Sequence, residues 1–236
     1  VPRVTPAELA AAFRRAPVLS LLPRAAQDEL LAATRVEELR AREVLWREGD
    51  KATALGLVLF GRVAVERARR KPVLVDIVGA GQFVGEVGFT LGARYQFDVR
   101  CLRAARVALI PARQLRAALT GSAAASASLA IDLAEQVLRL SRRVETLSAG
   151  SVAQRLARVL VGLAERFGAP FPGGTLLPVR LRREDLAALA ATTIESASRQ
   201  VSAWARAGVL VPQPVGFLLK DLDALRRLAD GGEGAA

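Results

Sequence analysis

Residues 181–211, LRREDLAALAATTIESASRQVSAWARAGVLV, decide the fold. A first short helix is expected over 183–190, with Leu186 and Leu189 facing inward. Ala191 and Thr192 make the turn, and a second helix runs from about 193 to 207. In that helix Ile194, Ala197, Val201 and Trp204 recur at helical spacing and are expected to pack on the first. Glu195, Ser198, Arg199 and Ser202 are left on the outer face. Two helices joined by a tight turn form a helix-turn-helix, whose second helix enters the DNA major groove by its N-terminal residues. Glu195 and Arg199, four apart, share a helix face. Arginine can donate two parallel hydrogen bonds to guanine O6 and N7, and a carboxylate can accept one from cytosine N4. A plainer account stands beside this one. Glu195 also completes Thr192-x-x-Glu195, a capping box, and with Arg199 it could form a surface ion pair worth little.

The flanks extend the motif. Downstream, residues 209–211, a turn at 212–214 and residues 217–220 read as a β-hairpin wing, and 221–228 as a last helix. Upstream, 152–167 is an amphipathic helix, 168–174 (GAPFPGG) a loop, and 176–181 a short extended segment. From Ser151 to Lys220 there are nine basic residues (Arg155, Arg158, Arg166, Arg180, Arg182, Arg183, Arg199, Arg206, Lys220). The same span has four acids (Glu165, Glu184, Asp185, Glu195). That excess suits phosphate contacts, which supply most sequence-independent affinity for DNA. Arg182, Arg183 and Lys220 are the expected phosphate contacts, and Thr193 and Ser202 complete the candidate DNA-facing set.

Further upstream, residues 121–147 contain no Pro and no Gly after Gly121. Leu133, Val137, Leu140, Val144 and Leu147 are spaced 4, 3, 4, 3, a heptad seam flanked by Arg139, Arg142, Arg143 and Glu145. The seam is expected to pair with a second copy of itself, the alternative being a helix packed on its own domain. Residues 36–111 change character, with short β-branched and apolar runs punctuated by glycines from Gly49 to Gly92. Such spacing argues for a small all-β barrel or sandwich. Residues 1–34 read as short helices, one of them starting at Thr5-Pro6-Ala7-Glu8. The expected fold class is therefore α+β. It comprises a β-roll with N-terminal helices over 1–120, a dimerisation helix and hinge over 121–150, and a winged helix-turn-helix over 151–236.

Composition narrows the chemistry. The chain has 236 residues, 52% of them hydrophobic, so a sizeable core is expected. Thirty-four Lys and Arg against 23 Asp and Glu give a net charge of +11, which favours an anionic partner. There is no His, so histidine general bases, Ser-His-Asp triads and histidine metal ligands are excluded. The single cysteine, Cys101, excludes disulfides within the chain and four-cysteine metal or iron–sulfur sites, and fits a reducing cytoplasm. No apolar run approaches the ~18–20 residues that span a bilayer, and VPRVTPAELAAAF at the start lacks the pattern of a signal peptide. An enzyme is not expected, nor a membrane partner.

The order of parts resembles the CRP/FNR superfamily of bacterial transcription regulators, from about Pro17 to Leu228. Glu48-Gly49-Asp50 followed by Leu57-x-Leu-x-x-x-Gly61-x-Val63 looks like the start of the family's β-roll. Gly79-x-Gly81-x-x-x-Gly85-Glu86 looks like its second half, and residues 186–210 look like its DNA-binding signature. Glu195-x-x-Ser198-Arg199, preceded by Ile194, is similar to the E-x-x-S-R pattern of the FNR/FixK/DNR-type branch. The resemblance implies a homodimer on a TTGA–N6–TCAA palindrome, double-stranded DNA as partner, and RNA polymerase as a second partner. It places an effector site at Gly85, Glu86 and the following strand. Where cyclic-nucleotide members carry a phosphate-pairing arginine, this chain has Tyr95, with Arg94 one residue early. A one-residue shift in a strand reverses the side chain's face. Where those members carry a Thr-Ser pair, it has Leu140-Ser141. Cyclic AMP is kept as an alternative effector, and an unidentified small ligand, or none, is the leading reading. No cofactor is assigned, and Cys101 reads as a buried small hydrophobe. A ligand-binding signalling module without DNA binding is the alternative of another class.

Overall fold

The computed structural model describes residues 4–67, 73–148 and 150–231, without the side chains of residue 142 and of residues 145–148. Leu147, the last position of the expected seam, falls in that side-chain gap, as do its flanking Arg142 and Glu145. The chain divides into two units, residues 1–138 and 139–236.

The first unit opens with three helices, α1 (Pro6–Arg15), α2 (Pro17–Ser20) and α3 (Arg24–Ala33). Thr5 caps α1 in a capping box with Glu8, which satisfies two backbone donors that the helix end would otherwise leave open. The β-roll follows as β1 (Arg35–Arg40), β2 (Val44–Trp46), β3 (Ala54–Arg67), β4 (Val73–Gly79), β5 (Phe83–Val84) and β6 (Asp98–Pro111). The sheet is antiparallel in the order β1-β6-β3-β4, with β2 joined to β6 and β5 to β3. Two of these strands, β3 and β6, are 14 residues long rather than short. Each carries its neighbours around the roll because the β3–β6 register shifts at Phe60 and Gly61. Gly61 is required there: its φ is +78°, and a Cβ would lie 2.0 Å from the Ala104 carbonyl oxygen.

Between β5 and β6 the structure has a short helix, α4 (Glu86–Leu91), where the sequence suggested only turns. Gly85 and Gly92 flank it, both at positive φ, so the helix starts and stops within the glycine-rich segment. The core forms two clusters. One gathers Phe13, Leu19, Leu30, Leu55 and Phe89 with the helices α5 (Ala112–Thr120) and α6 (Ala123–Ser148). The other fills the roll with Trp46, Val58, Val63, Val84, Tyr95, Val99 and Cys101. Leu133, expected on the dimer seam, packs against the first cluster instead. Val137 and Val144, by contrast, are 61% and 65% exposed, Leu140 is 37% exposed, and Ile131 and Leu138 are open as well. Leu133 shares a helix face with Val137, Leu140 and Val144, but at its level that face covers the unit's own core, whereas from Val137 onward it is open.

In the second unit, α7 (Val152–Phe167) is capped by Ser151 and Gln154 in a second capping box. A four-stranded antiparallel sheet follows, built from β7 (Ala169–Phe171), β8 (Gly174–Leu177), β9 (Leu210–Gln213) and β10 (Gly216–Leu219) in the order β7-β8-β10-β9. The expected loop 168–174 is thus half strand: Pro170 sits in the edge strand β7, where a missing N–H is tolerated. Pro212 likewise lies within the edge strand β9, opposite Phe217, and the wing's tip is Pro214–Val215. Helices α8 (Arg183–Leu189) and α9 (Ile194–Arg206) stand between the two hairpins, and α10 (Leu222–Ala229), capped by Asp221, closes the unit. No single described helix is long and apolar enough to cross a membrane.

Candidate nucleic-acid interface

Helix α9 is fixed from within by three side chains. Ala197, Val201 and Trp204 are buried, as are Leu186, Ala187 and Leu189 of α8. Ile194 does not join them and is 46% exposed, because the first turn of α9 projects beyond the cover of α8. The expectation that Ile194 packs inward is corrected accordingly.

Capping is settled by the geometry. Thr193, not Thr192, is the N-cap: its Oγ1 accepts from the Ser196 backbone N–H at 3.1 Å. The third helical residue is then Ser196, so Thr192 and Glu195 form no capping box. The Glu195 carboxyl is held below the usual carboxylate range by a hydrogen bond from its own backbone N–H and by one from the Thr193 hydroxyl. Its charge is also favoured at the positive end of the helix. No ion pair joins Glu195 to Arg199 among the described residues. Both are exposed, as are Thr193 and Ser202, and Ser198 is half-buried. The outer face of α9 therefore presents a carboxylate, a guanidinium and hydroxyls to solvent, with the apolar tip of Ile194 beside them.

The surrounding cations are distributed over several elements. Arg182 is exposed at the N-terminus of α8, where its backbone N–H donates to buried Asp185 at 2.9 Å. Arg183 is half-buried, and Lys220, at the end of the wing, is exposed. One residue that the sequence did not single out holds the motif's turn. The Arg155 side chain donates from Nε to the Ala190 carbonyl at 2.8 Å and from Nη2 to the Ala191 carbonyl at 3.5 Å. Its Nη1 donates to the Gly150 carbonyl at 2.7 Å. The turn itself places Ala191 at φ +45°, a left-handed conformation that a non-glycine residue adopts at a cost.

The first unit holds the candidate sensory site. A cavity of about 30 Å³ lies inside the roll, lined by Gly85, Glu86, Trp46, Tyr95, Gln96 and Gln136, with valines behind them. Glu86 is buried at its edge. Tyr95 is 4% exposed and faces inward. Its ring lies flat against Trp46, with centroids 4.0 Å apart and planes 6° from parallel. Its hydroxyl donates to the Ala54 carbonyl at 2.7 Å and accepts from the Ala54 N–H at 3.3 Å. Burial pushes the phenol above its ordinary pKa, and the bond to Ala54 partly opposes the shift. Residues 94 and 95 precede β6 rather than forming a strand, and Arg94 is exposed, its Nη1 donating to the Gly49 carbonyl at 2.6 Å. Ser141 is exposed on α6 and belongs to the second unit. Cys101 is buried and its thiol pKa is raised, chiefly by desolvation.

A β-roll followed by a long helix and a winged helix-turn-helix is an architecture that suits a DNA-binding transcription regulator. Comparison with known proteins agrees part by part. Residues 36–122 match the cyclic nucleotide-binding domain family, and residues 154–228 the Crp-like helix-turn-helix domain family. The chain is 27% identical over 176 residues to the cAMP-activated global transcriptional regulator CRP of Haemophilus influenzae, covering 73% of this chain and 78% of that one. It is 25% identical over 190 residues to a CRP-like cAMP-activated global transcriptional regulator of Mycobacterium tuberculosis, covering 78% and 84%. Among solved structures, a CRP-family transcriptional regulator of Thermus thermophilus superposes with a TM-score of 0.70 at 25% identity, over 85% of this chain and all of that one. FixK2 of Bradyrhizobium japonicum shares the fold, with a TM-score of 0.74 at 17% identity, over 86% of this chain and 99% of that one. The chain thus joins a cyclic nucleotide-binding domain to a Crp-like helix-turn-helix domain, as a CRP-type transcription regulator does, and the relatives it matches are regulators, not enzymes.

Proposed function

We propose that the protein is a homodimer that reads a two-fold palindrome of TTGA type through α9. The carrying observation is the outer face of that helix, where Glu195 and Arg199 are both exposed on a helix capped by Thr193. Arg199 donates to guanine O6 and N7, Glu195 accepts from the exocyclic amine of C or A on the opposite strand, and Ser198 assists at a base edge or phosphate. Ile194, solvent-facing at the helix tip, suits contact with a thymine methyl. Thr193 and Ser202 flank these contacts, and Arg182, Arg183 and Lys220 hold phosphates, fixing register without reading sequence.

The open stripe of α6, with Val137, Leu140 and Val144 exposed, is the dimer contact. A two-fold axis along that helix presents two recognition helices to successive major grooves about 34 Å apart. The β-roll is the sensory half. A signal there acts by favouring one of two arrangements of the helix pair, and its effect is bounded by its differential affinity for them. RNA polymerase is the second partner in this reading. Fluorescence anisotropy on a TTGA–N6–TCAA duplex tests the base contacts. Arg199→Ala is expected to cost ~1–3 kcal/mol and to relax discrimination at one base position. Equal binding of that duplex by wild type and variant refutes base reading by Arg199.

A further inference from the structure

The sensory half matches a domain family named for cyclic nucleotides, yet the residues inside this roll do not suit one. A cyclic nucleotide is a mono-anion with a sugar and a base to house. Ligand sites for molecules of that size run to roughly 300 Å³ or more, whereas this cavity is about 30 Å³, enough for a water. The space is taken by the chain itself. Tyr95 stacks on Trp46 and is tied at its hydroxyl to both backbone groups of Ala54. Gly85 backs directly onto the pair: a Cβ there would stand 2.8 Å from Trp46 Cζ2 and 3.0 Å from Tyr95 Cε1.

Charge argues the same way. The lining includes one carboxylate, Glu86, and no lysine or arginine among the described residues. Three arginines near the cavity are engaged elsewhere. Arg94 faces outward onto the Gly49 carbonyl. Arg100 forks onto Glu66 at 2.8 and 2.9 Å. Arg67 pairs with Glu48 at 3.7 Å and lies over the Phe97 ring. Among the described lining residues a phosphodiester would meet the Glu86 carboxylate and no guanidinium or ammonium.

We propose that Tyr95 is the specificity-determining residue of the roll: its ring, clamped between Trp46 and Ala54, closes the cavity to cyclic nucleotides, and the protein binds DNA without them. The DNA clause rests on the function proposed above. The exclusion clause does not, and it is measured separately.

Full-length protein is titrated calorimetrically with cyclic AMP and with cyclic GMP to about 1 mM, where even a binding free energy of ~4 kcal/mol registers. The same titrations are repeated with Tyr95→Arg, which removes the ring and brings a cation to the cavity, and with Tyr95→Phe, which keeps the stack. Wild type and Tyr95→Phe are expected to give no saturable heat, and wild-type affinity for the palindromic duplex is expected to be the same with and without nucleotide. Tyr95→Arg is expected to gain saturable binding. Saturable micromolar binding by wild type overturns the proposal, as does a several-fold rise in its DNA affinity on adding nucleotide. A Tyr95→Arg protein that melts like wild type yet stays silent overturns Tyr95 as the determinant. Failure of wild type to bind the duplex under any condition, with the calorimetric result intact, strikes the DNA reading alone.

Discussion

At the scale of single residues, the turn between α8 and α9 carries a measurable cost. Ala191 sits at φ +45° and is exposed. A methyl side chain in the left-handed region costs of order 1 kcal/mol, which glycine does not pay. Ala191→Gly gives some of this back through the greater freedom of the unfolded chain. The net expectation is a gain of up to about 0.5 kcal/mol, roughly 1–2 °C in the melting temperature of a chain this size, with DNA affinity unchanged. Differential scanning calorimetry checks it, and a lower melting temperature contradicts the strain reading. Glu195 and Ile194 show the same dependence on local geometry. In sequence both could be structural, one as a capping carboxylate and one as a core position. The choice of Thr193 as N-cap decides otherwise, because it moves Glu195 off the capping position and leaves Ile194 on the uncovered first turn.

At the scale of elements, Arg155 joins α7, the hinge glycine and the helix-turn-helix turn by donating to three carbonyls. Two of them, at Ala190 and Ala191, follow the end of α8, where backbone acceptors are unsatisfied and a cation is favoured. Charged hydrogen bonds of this kind contribute about 1.5–3 kcal/mol each when not fully solvated. Arg155→Ala is expected to destabilise the DNA-binding unit by about 2 kcal/mol and to weaken specific DNA binding several-fold. Arg155→Lys recovers little, since an ammonium cannot span the same acceptors. Urea melts and anisotropy measure both. The sequence made some elements plain and hid others for physical reasons. Helices α8 and α9 and the wing were legible because their buried residues, Leu186, Leu189, Val201, Trp204 and Phe217, repeat at helical or strand spacing. The strand β7 was not, because Pro170 and the glycines around it read as a loop, and only its edge position makes the proline acceptable. The helix α4 was hidden by its two flanking glycines. The Trp46–Tyr95 contact joins residues far apart in sequence, which periodicity cannot reveal. The displacement of Arg94 by one position and Leu140-Ser141 in place of a Thr-Ser pair hinted that the pocket differs.

At the scale of the whole molecule, the account depends on two copies. A lone helix face carrying Ile131, Val137, Leu138 and Val144 in solvent is a large apolar exposure of the kind that marks an interface. Leu133 shows why the extent of the seam could not be placed from spacing alone: it shares a helix face with Leu140, yet at its level that face is already used by the core. Val144→Glu puts a charge into the proposed seam while leaving the described cores untouched. It is expected to yield a monomer by sedimentation equilibrium and to weaken palindrome binding by at least tenfold, since each half-site is then bound alone. An unchanged dimer contradicts the placement of the seam. The sensory and reading halves then make separate demands on the chain: a roll closed by its own aromatic pair, and a capped helix with an open polar face.

The central claim is that α9 reads bases through Glu195 and Arg199, and its most direct test is equilibrium anisotropy on matched duplexes at fixed salt. Wild type is predicted to prefer TTGA–N6–TCAA over a duplex with the guanine of each half-site replaced. Arg199→Ala is predicted to lose that preference by a factor matching ~1–3 kcal/mol per contact, while its affinity for unrelated DNA stays near that of wild type. An Arg199→Ala protein that still distinguishes the two duplexes as wild type does would contradict the account.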